Sequence, residues 1–439
     1  MFFKRHLNFL LFFIFLVGVN SNAIAAGSGA FRVETPDAAA MGKGSAFVGE
    51  ANTPAAVYYN PAGLNQIDRA QISFGGAFLA PNVDYKPTSG DEVQMRRNQF
   101  LIPHVFAVVP VNNRVAVGLG STAYFGLGTE WAQDSPLRYD ATKSDILNQD
   151  YMLTASYQVT DKWSIAAGPD NDFSRANKNK KLAQANGVDG NFQLKAKDDA
   201  WGYRLATMYK LNERHQFGLM YRSRIKHEYE GKAYLDNLNT SPTLAGQGLS
   251  STSYQGVFGD TTYETNLTEK FTLPQSVVIG YSFKPTAKWT FNLDVEWMDW
   301  SSVEQEAINW TSETDPSRLA VLNGGNPAPR DWHSVWSQAI GAEYAATDRL
   351  RLRGGYFHHD SPIPQDTWDP NLPDANSHGF TTGFGFDVTK SLTLDLAYSA
   401  LIYEPRKIDN TVSNAGGGSV DGEYTQYMHV ALMTLTYKF

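Results

Sequence analysis

The chain has 439 residues and a net charge of −8 at neutral pH, which excludes nucleic acid as a partner. It contains no cysteine, so no disulfide framework supports it. Aromatics make up 13% of residues and there are 37 glycines. Mean hydropathy is only −0.36. A soluble secreted protein would fit that hydropathy, but the aromatics and glycines fit a membrane barrel with aromatic girdles better.

In chain order, Lys4 and Arg5 precede an almost wholly apolar run from Leu7 to Val19, and Ala23-Ile24-Ala25 follows as a small-x-small site. Residues 1–25 therefore read as a secretory signal peptide. A transmembrane anchor is the alternative, but the run falls short of the roughly 20 residues that a spanning helix needs. No later run is long and apolar enough for such a helix.

Residues 26–66 do not alternate. They are rich in Ala and Gly, with helix-compatible stretches around 36–42 and 53–59. A periplasmic tail is one reading, yet the segment is too apolar for a disordered tail. The expectation is a hatch folded into the lumen of a barrel.

From about residue 68 to the end, residues 67–439 read as a transmembrane β-barrel with period-2 alternation throughout. Trp289, Phe291, Leu293, Val295 and Trp297 share one face, while Thr290, Asn292, Asp294 and Glu296 share the other. Charges in mid-strand argue against a soluble sandwich and for a lumen where they pair. The strands are expected at 69–80, 99–110, 114–124, 149–159, 163–175, 192–211, 215–230, 263–284, 289–310, 332–346, 349–360, 376–389, 391–407 and 423–439. Every second connection is tight, as at Asn112-Asn113, Asn212-Glu213 and Thr347-Asp348. The others are long and polar. An even number of strands with short and long connections in strict alternation makes this an all-β, antiparallel, 14-stranded barrel. The short turns and both termini belong on the periplasmic side.

The last strand places Tyr427, His429, Ala431, Met433, Leu435, Tyr437 and Phe439 on one face. A terminal aromatic on such a strand resembles the tail that barrel-assembly machinery recognises. Strand two is apolar on both faces, with Phe100, Ile102, Phe106 and Val108 opposite Leu101, Val105, Ala107 and Val109. Met428, Val430 and Leu432 form the expected lumen face of the last strand. An apolar lumen suits a greasy ligand rather than the ions of an open porin, each buried methylene contributing about 0.8 kcal/mol.

Five stretches in order carry a family resemblance. They are ANTPAAVYYNPAGL at Ala51 to Leu64, YFGLGTEW at Tyr124 to Trp131, Leu273-Pro274, DVEWMDWS at Asp294 to Ser301, and RGGYFHHDSPIP at Arg353 to Pro364. Together they resemble the FadL-type transporters of long-chain fatty acids and hydrocarbons in Gram-negative outer membranes. The resemblance implies a hatch centred on Asn60-Pro61-Ala62, gripping the wall beside an inward kink of the third strand. A lateral opening there would release ligand into the membrane. Gly118, Gly120, Gly126 and Gly128 crowd that strand, and glycine weakens pairing and permits bends. The plainer reading is that they make room for the hatch.

The same pattern puts basic residues for a ligand carboxylate at Arg330, Arg175 and Lys178, since a desolvated carboxylate needs a cation or donors. Pairing with nearby carboxylates or with lipopolysaccharide phosphates is the competing reading for each. A neutral hydrocarbon would need no cation, and the sequence leaves that cargo open, with a general porin as the more distant alternative. The fifth strand departs from the family pattern at AAGPDNDFSRANKNKKL, where Pro169 removes a ladder donor.

No cofactor, metal or catalytic motif accompanies these features. His358-His359-Asp360 looks like a metal cluster, but neighbours on a strand point to opposite faces. No G-x-S-x-G elbow or P-loop is present, so no enzyme is expected. The expected partners are a long-chain fatty acid or other hydrophobic ligand, outer-membrane lipid with lipopolysaccharide, and the assembly machinery. With no strand edge left open, the barrel is expected to be a monomer.

Overall fold

The computed structural model describes residues 29–33, 36–96, 99–242, 252–410, 412 and 419–439. The expected signal peptide, residues 1–25, lies outside the described residues. The alternating segments form a closed antiparallel barrel of 14 strands, as the sequence predicts. The first six strands are β1 (Gln71–Pro87), β2 (Phe100–Asn112), β3 (Val115–Thr122 and Gly126–Glu130), β4 (Lys143–Thr160), β5 (Trp163–Leu182) and β6 (Gly190–Lys210). Then come β7 (His215–Arg222 and Ile225–Asp236), β8 (Tyr263–Leu273 and Ser276–Phe283) and β9 (Trp289–Met298 and Ile308–Trp310). The circuit is completed by β10 (Val335–Ala345), β11 (Leu350–His359), β12 (Ser377–Asp387), β13 (Leu392–Tyr403 and Arg406–Ile408) and β14 (Gly422–Lys438). β14 pairs with β1 from Gln71↔Lys438 to Pro87↔Gly422, which closes the wall.

The tight turns share one device. Asn112, Thr160, Asn212, Thr286, Thr347 and Thr389 each accept the backbone N–H two residues on. This side-chain mimic of a backbone turn is what Asn and Thr supply best, and it reverses the chain within a few residues.

The alternation sorts as expected. Trp289, Phe291 and Leu293 are exposed on the outer face of β9, while Asn292, Asp294 and Glu296 are buried on the inner one. Leu101 is exposed outside, and Phe100, Ile102, Phe106 and Val108 are buried inside. Met428, Val430 and Leu432 are buried likewise, in one apolar cluster with Phe100 and Ile102. Lumen charges pair across strands: Arg353 bonds Glu343 and Asp395, each at 2.6 Å, and Arg204 bonds Asp170 at 2.9 Å.

Several strands outrun their expected limits. β1 continues to Pro87, β4 begins at Lys143 and β5 continues to Leu182. The added ends turn mainly polar side chains outward because water, not lipid, lies outside them, while β1 keeps Val83 and Tyr85 buried inside, so apolar-out alternation could not mark them. Pro169 sits within β5. The β4–β5 ladder pairs Met152 with Asp170 and Ala155 with Ala167, and skips Leu153 and Thr154 between them. The missing Pro N–H is thus absorbed as a short unpaired stretch in an otherwise continuous strand.

The lumen holds the N-terminal segment. Asp37 caps helix α1 (Ala38–Met41) and Asn60 caps a 3₁₀ turn (Pro61–Gln66) that follows α2 (Ala56–Tyr59). Its backbone bonds to the wall all round: Ala38 N–H to Thr434 (3.0 Å), Gly44 N–H to Thr381 (2.9 Å) and Phe47 N–H to Asp294 (2.7 Å). Four wall glycines let it approach so closely. A Cβ on Gly218, Gly280, Gly341 or Gly355 would lie within 2.3 Å of backbone atoms in residues 43–49. Only glycine fits there.

Candidate functional site

Between β2 and β3 the wall is incomplete. Their ladder runs from Asn112↔Val115 to Val105↔Ser121 and stops. Beyond it, Phe100 to His104 keep their partners on β1. Among the described residues they have none on β3. The reason lies in residues 123–125, which interrupt β3 between Thr122, opposite Asp150, and Gly126, opposite Leu147. Three residues face two, and the extra one bends the strand. Ala123, Tyr124 and Phe125 are all buried, so the bend goes inward.

Polar groups hold it there. The Tyr124 N–H donates to Asp150 (3.0 Å), its hydroxyl to Glu296 (3.3 Å), and the Arg222 guanidinium lies 4.0 Å from its ring centre. The backbone groups that β2 leaves unpaired are met from inside. Val33 N–H donates to Tyr124 O and Gly126 N–H donates to Phe31 O, each at 2.8 Å, with Arg32 opposite Phe125. Residues 31–33 thus form a strap, and Arg32 pairs with Glu296 at its back.

Two cavities lie either side of the strap. The outer one, of about 30 Å³, has Phe31, Leu127, Ile146, Phe271, Trp332 and Ile363 among its apolar lining, with Lys178, Glu306, Arg330 and Asp369 as its charges. Lys178 Nζ is 2.8 Å and Arg330 3.0 Å from the Glu306 carboxylate, and Arg330 also pairs with Asp369. Burial opposes the charge on Arg330, but Asp369 and Glu306 outweigh it and raise the pKa above the ordinary arginine value. The inner cavity, of about 60 Å³, is lined by Arg32, Tyr58, Tyr124, Arg222 and Glu296 among others.

With this geometry in view, comparison with known proteins is decisive. The family described as outer membrane protein transport protein (OMPP1/FadL/TodX) matches residues 19–439. The chain belongs to that family. It is therefore an outer-membrane protein of a transport family rather than of an enzyme family. The long-chain fatty acid transport protein of Escherichia coli K12 is 23% identical, across 84% of this chain and 87% of that one. The crystal structure of a Pseudomonas aeruginosa FadL homologue superposes with a TM-score of 0.79 at 19% identity, covering 93% of this chain and all of that one. That of the Pseudomonas putida toluene transporter TodX gives 0.72 at 18%, covering 94% and 100%.

The residues that FadL-type resemblance singled out fall in three places. Arg330 and Lys178 come together in the outer cavity, both already paired with carboxylates. Arg175 does not join them: it is exposed on the outer face of β5. Three positions from Lys178 on a strand is an odd step, which reverses the face.

Asn60 is fully buried, but its grip is not beside the kink. Its amide donates to Val48 O (2.9 Å) and Thr207 O (3.2 Å), so it holds the 43–49 turn and β6. Its Oδ1 accepts from Ala62 N–H, Pro61 opens the 3₁₀ turn, and the Ala62 carbonyl accepts from Ser164 of β5 at 2.8 Å. The backbone of the bend is bonded by the strap, which sequence reasoning merged into one hatch, while Tyr58, two residues before Asn60, packs against Tyr124 at 5.5 Å between ring centres.

Gly126 borders the bend and donates to the strap, while Gly118 and Gly120 make room for Val57 and Leu64 of the N-terminal segment. Glu306 and Asp369 were missed altogether. Neither sits in a pattern that sequence alone connects to Arg330.

Proposed function

We propose that this protein takes up long-chain fatty acids, engages their carboxylates at the outer cavity, which widens to admit the chain, and releases them sideways into the membrane through the opening between β2 and β3. The carrying observation is the outer cavity itself, where an apolar lining meets two cations that share Glu306. The aliphatic chain gains from the apolar walls, and a carboxylate can replace Glu306 on Arg330 while Glu306 keeps its pair with Lys178. The name of the Escherichia coli relative agrees with this cargo.

Between that cavity and the wall opening stands the strap, with Phe31 on the outer side and Arg32 on the inner. Ligand reaches the opening when residues 31–33 lift away from Tyr124. Within the 26–66 hatch, residues 36–66 stay in the lumen and need not leave it. The protein works as a monomer in this reading, with lipid around its belt and the assembly machinery as its only protein partner.

The test is binding of oleate against oleyl alcohol. Arg330→Ala is expected to weaken oleate at least tenfold, since losing a charge-assisted bond costs about 1.5–3 kcal/mol, and to spare the alcohol. Equal losses would favour a neutral hydrocarbon. One observation already favours that second reading, namely that both cations are satisfied by carboxylates without ligand.

A further inference from the structure

We infer that Arg214, Lys284 and Lys288, at the periplasmic rim of the wall, bind the headgroups of anionic phospholipids in the inner leaflet of the outer membrane. The chain as a whole is acidic, with 37 Lys and Arg against 45 Asp and Glu, yet each of its six tight turns holds a cation. Arg114, Lys162, Arg349 and Lys390 occupy four of them, Arg214 a fifth, and the sixth has both Lys284 and Lys288. All are exposed, and among the described residues none forms an ion pair. Acids offset only part of this ring: Asp161 adjoins Lys162, Asp348 adjoins Arg349, and Glu213 is taken by Lys210 at 3.0 Å. Lys284 donates its N–H to Arg214 O at 2.8 Å, which sets the β6–β7 and β8–β9 turns side by side. Glu50, the lumen carboxylate on which Lys284 acts, is itself paired with Lys43. Arg214, Lys284 and Lys288 therefore form a basic arc with no counter-charge of its own.

Position identifies the anion. Lys288 precedes Trp289, and Arg214 stands three residues before Phe217; both rings are exposed on the lipid face. Trp289 meets Tyr344 at 4.7 Å and Phe217 meets Tyr281 at 5.0 Å between ring centres, so an aromatic girdle runs directly above the arc. Such girdles mark the boundary between acyl chains and headgroups. At ~3.4 Å per residue, the arc lies within roughly 10 Å of that boundary, which is the headgroup layer itself. Lysine and arginine lay their stems on apolar surface and extend their charged ends into that layer, where phosphate oxygens accept charge-assisted bonds. A zwitterionic headgroup brings a cation of its own that the arc repels, whereas an anionic one does not. The arc therefore selects lipids of net negative charge, whatever the lumen carries.

The full chain is reconstituted in phosphatidylcholine bilayers with spin-labelled phosphatidylglycerol or spin-labelled phosphatidylethanolamine, and the motionally restricted fraction is read by electron paramagnetic resonance. At low salt, phosphatidylglycerol is expected to associate at least threefold more strongly. The preference should collapse in 1 M salt, where exposed charges are screened within about 3 Å. Arg214→Gln, Lys284→Gln and Lys288→Gln together should at least halve it. Lys232→Gln with Lys270→Gln, at the opposite end of the barrel, should leave it unchanged. Equal association of the two lipids overturns the site, as does a preference that survives 1 M salt or the triple substitution. An equal loss in the control pair overturns it too. If the triple variant lacks heat-modifiable migration, Lys288→Gln alone must lower the preference for the site to stand.

Discussion

Val33 donates its backbone N–H to the carbonyl of Tyr124 at 2.8 Å, joining the start of the described chain to the bend in β3. With the reciprocal bond from Gly126 to Phe31, this makes Arg32 and Phe125 a non-hydrogen-bonded antiparallel pair. Such pairs bring Cα atoms to about 4.5 Å, within the range that a disulfide spans. The native chain has no cysteine to compete. Arg32→Cys with Phe125→Cys, once oxidised, is expected to stop fatty-acid uptake, and reduction is expected to restore it. A crosslink tying residues 43–49 to the facing wall should leave uptake intact. If the second crosslink blocks transport and the first does not, the cargo goes through the hatch and the lateral route is wrong.

Asn60→Ala removes donors to Val48 O and Thr207 O and the cap on Ala62 N–H. Two buried carbonyls lose a partner, at about 1–3 kcal/mol for each group left unsatisfied. The wall ladders do not involve this side chain, so heat-modifiable barrel migration should persist. Hydrogen exchange is expected to speed up across residues 48–66 and not in β5 or β6. Unchanged exchange in that segment would show that the neighbouring contacts hold it alone.

Glu306 and an incoming carboxylate compete for the same cations. Glu306→Gln should therefore tighten oleate binding about tenfold, in line with the 1.5–3 kcal/mol of a bond to a charged group. Oleyl alcohol affinity should stay level. Weaker oleate binding would mean that Glu306 positions Arg330 and Lys178 rather than competing for them.

A pH dependence follows from Asp374, in the connection between β11 and β12. Its carboxyl accepts the Ala30 N–H at 2.8 Å, and burial pushes its pKa up to about 7. An unfolded aspartate titrates near 3.9. A raised folded value means that the folded state favours the proton. The contribution is therefore full below about pH 4 and is lost as pH rises through 7. The melting temperature should fall between pH 5 and pH 8, and Asp374→Asn should flatten that slope. A slope that survives the substitution would assign it to another group.

The barrel was legible because lipid demands apolar side chains on every second residue, and the six Asn and Thr turns punctuate those runs. Where lipid ends, so does the signal: residues 175–182 of β5 are rich in Lys and Asn, yet they pair with β6 throughout. The bend in β3 was expected at Gly126, which borders it. Its body is Ala123, Tyr124 and Phe125, whose apolar side chains read as more strand, because inward bending serves burial as well as alternation does. Lys178 and Arg330 were found, but Glu306, in the break within β9, and Asp369, in the connection between β11 and β12, are brought to them only by the folded chain. Parity on one strand was enough to exclude Arg175 and was not applied to it.

The seam between β1 and β14 joins the first strand to leave the ribosome with the last. Residues 37–50, just ahead of β1, bond to Thr434, Thr381 and Asp294, which stand on three separate strands from the second half of the chain. With Gln71 zipped onto Lys438, that segment is enclosed by a continuous wall and anchored to it at several points, so moving it as a body means breaking bonds to all three strands at once.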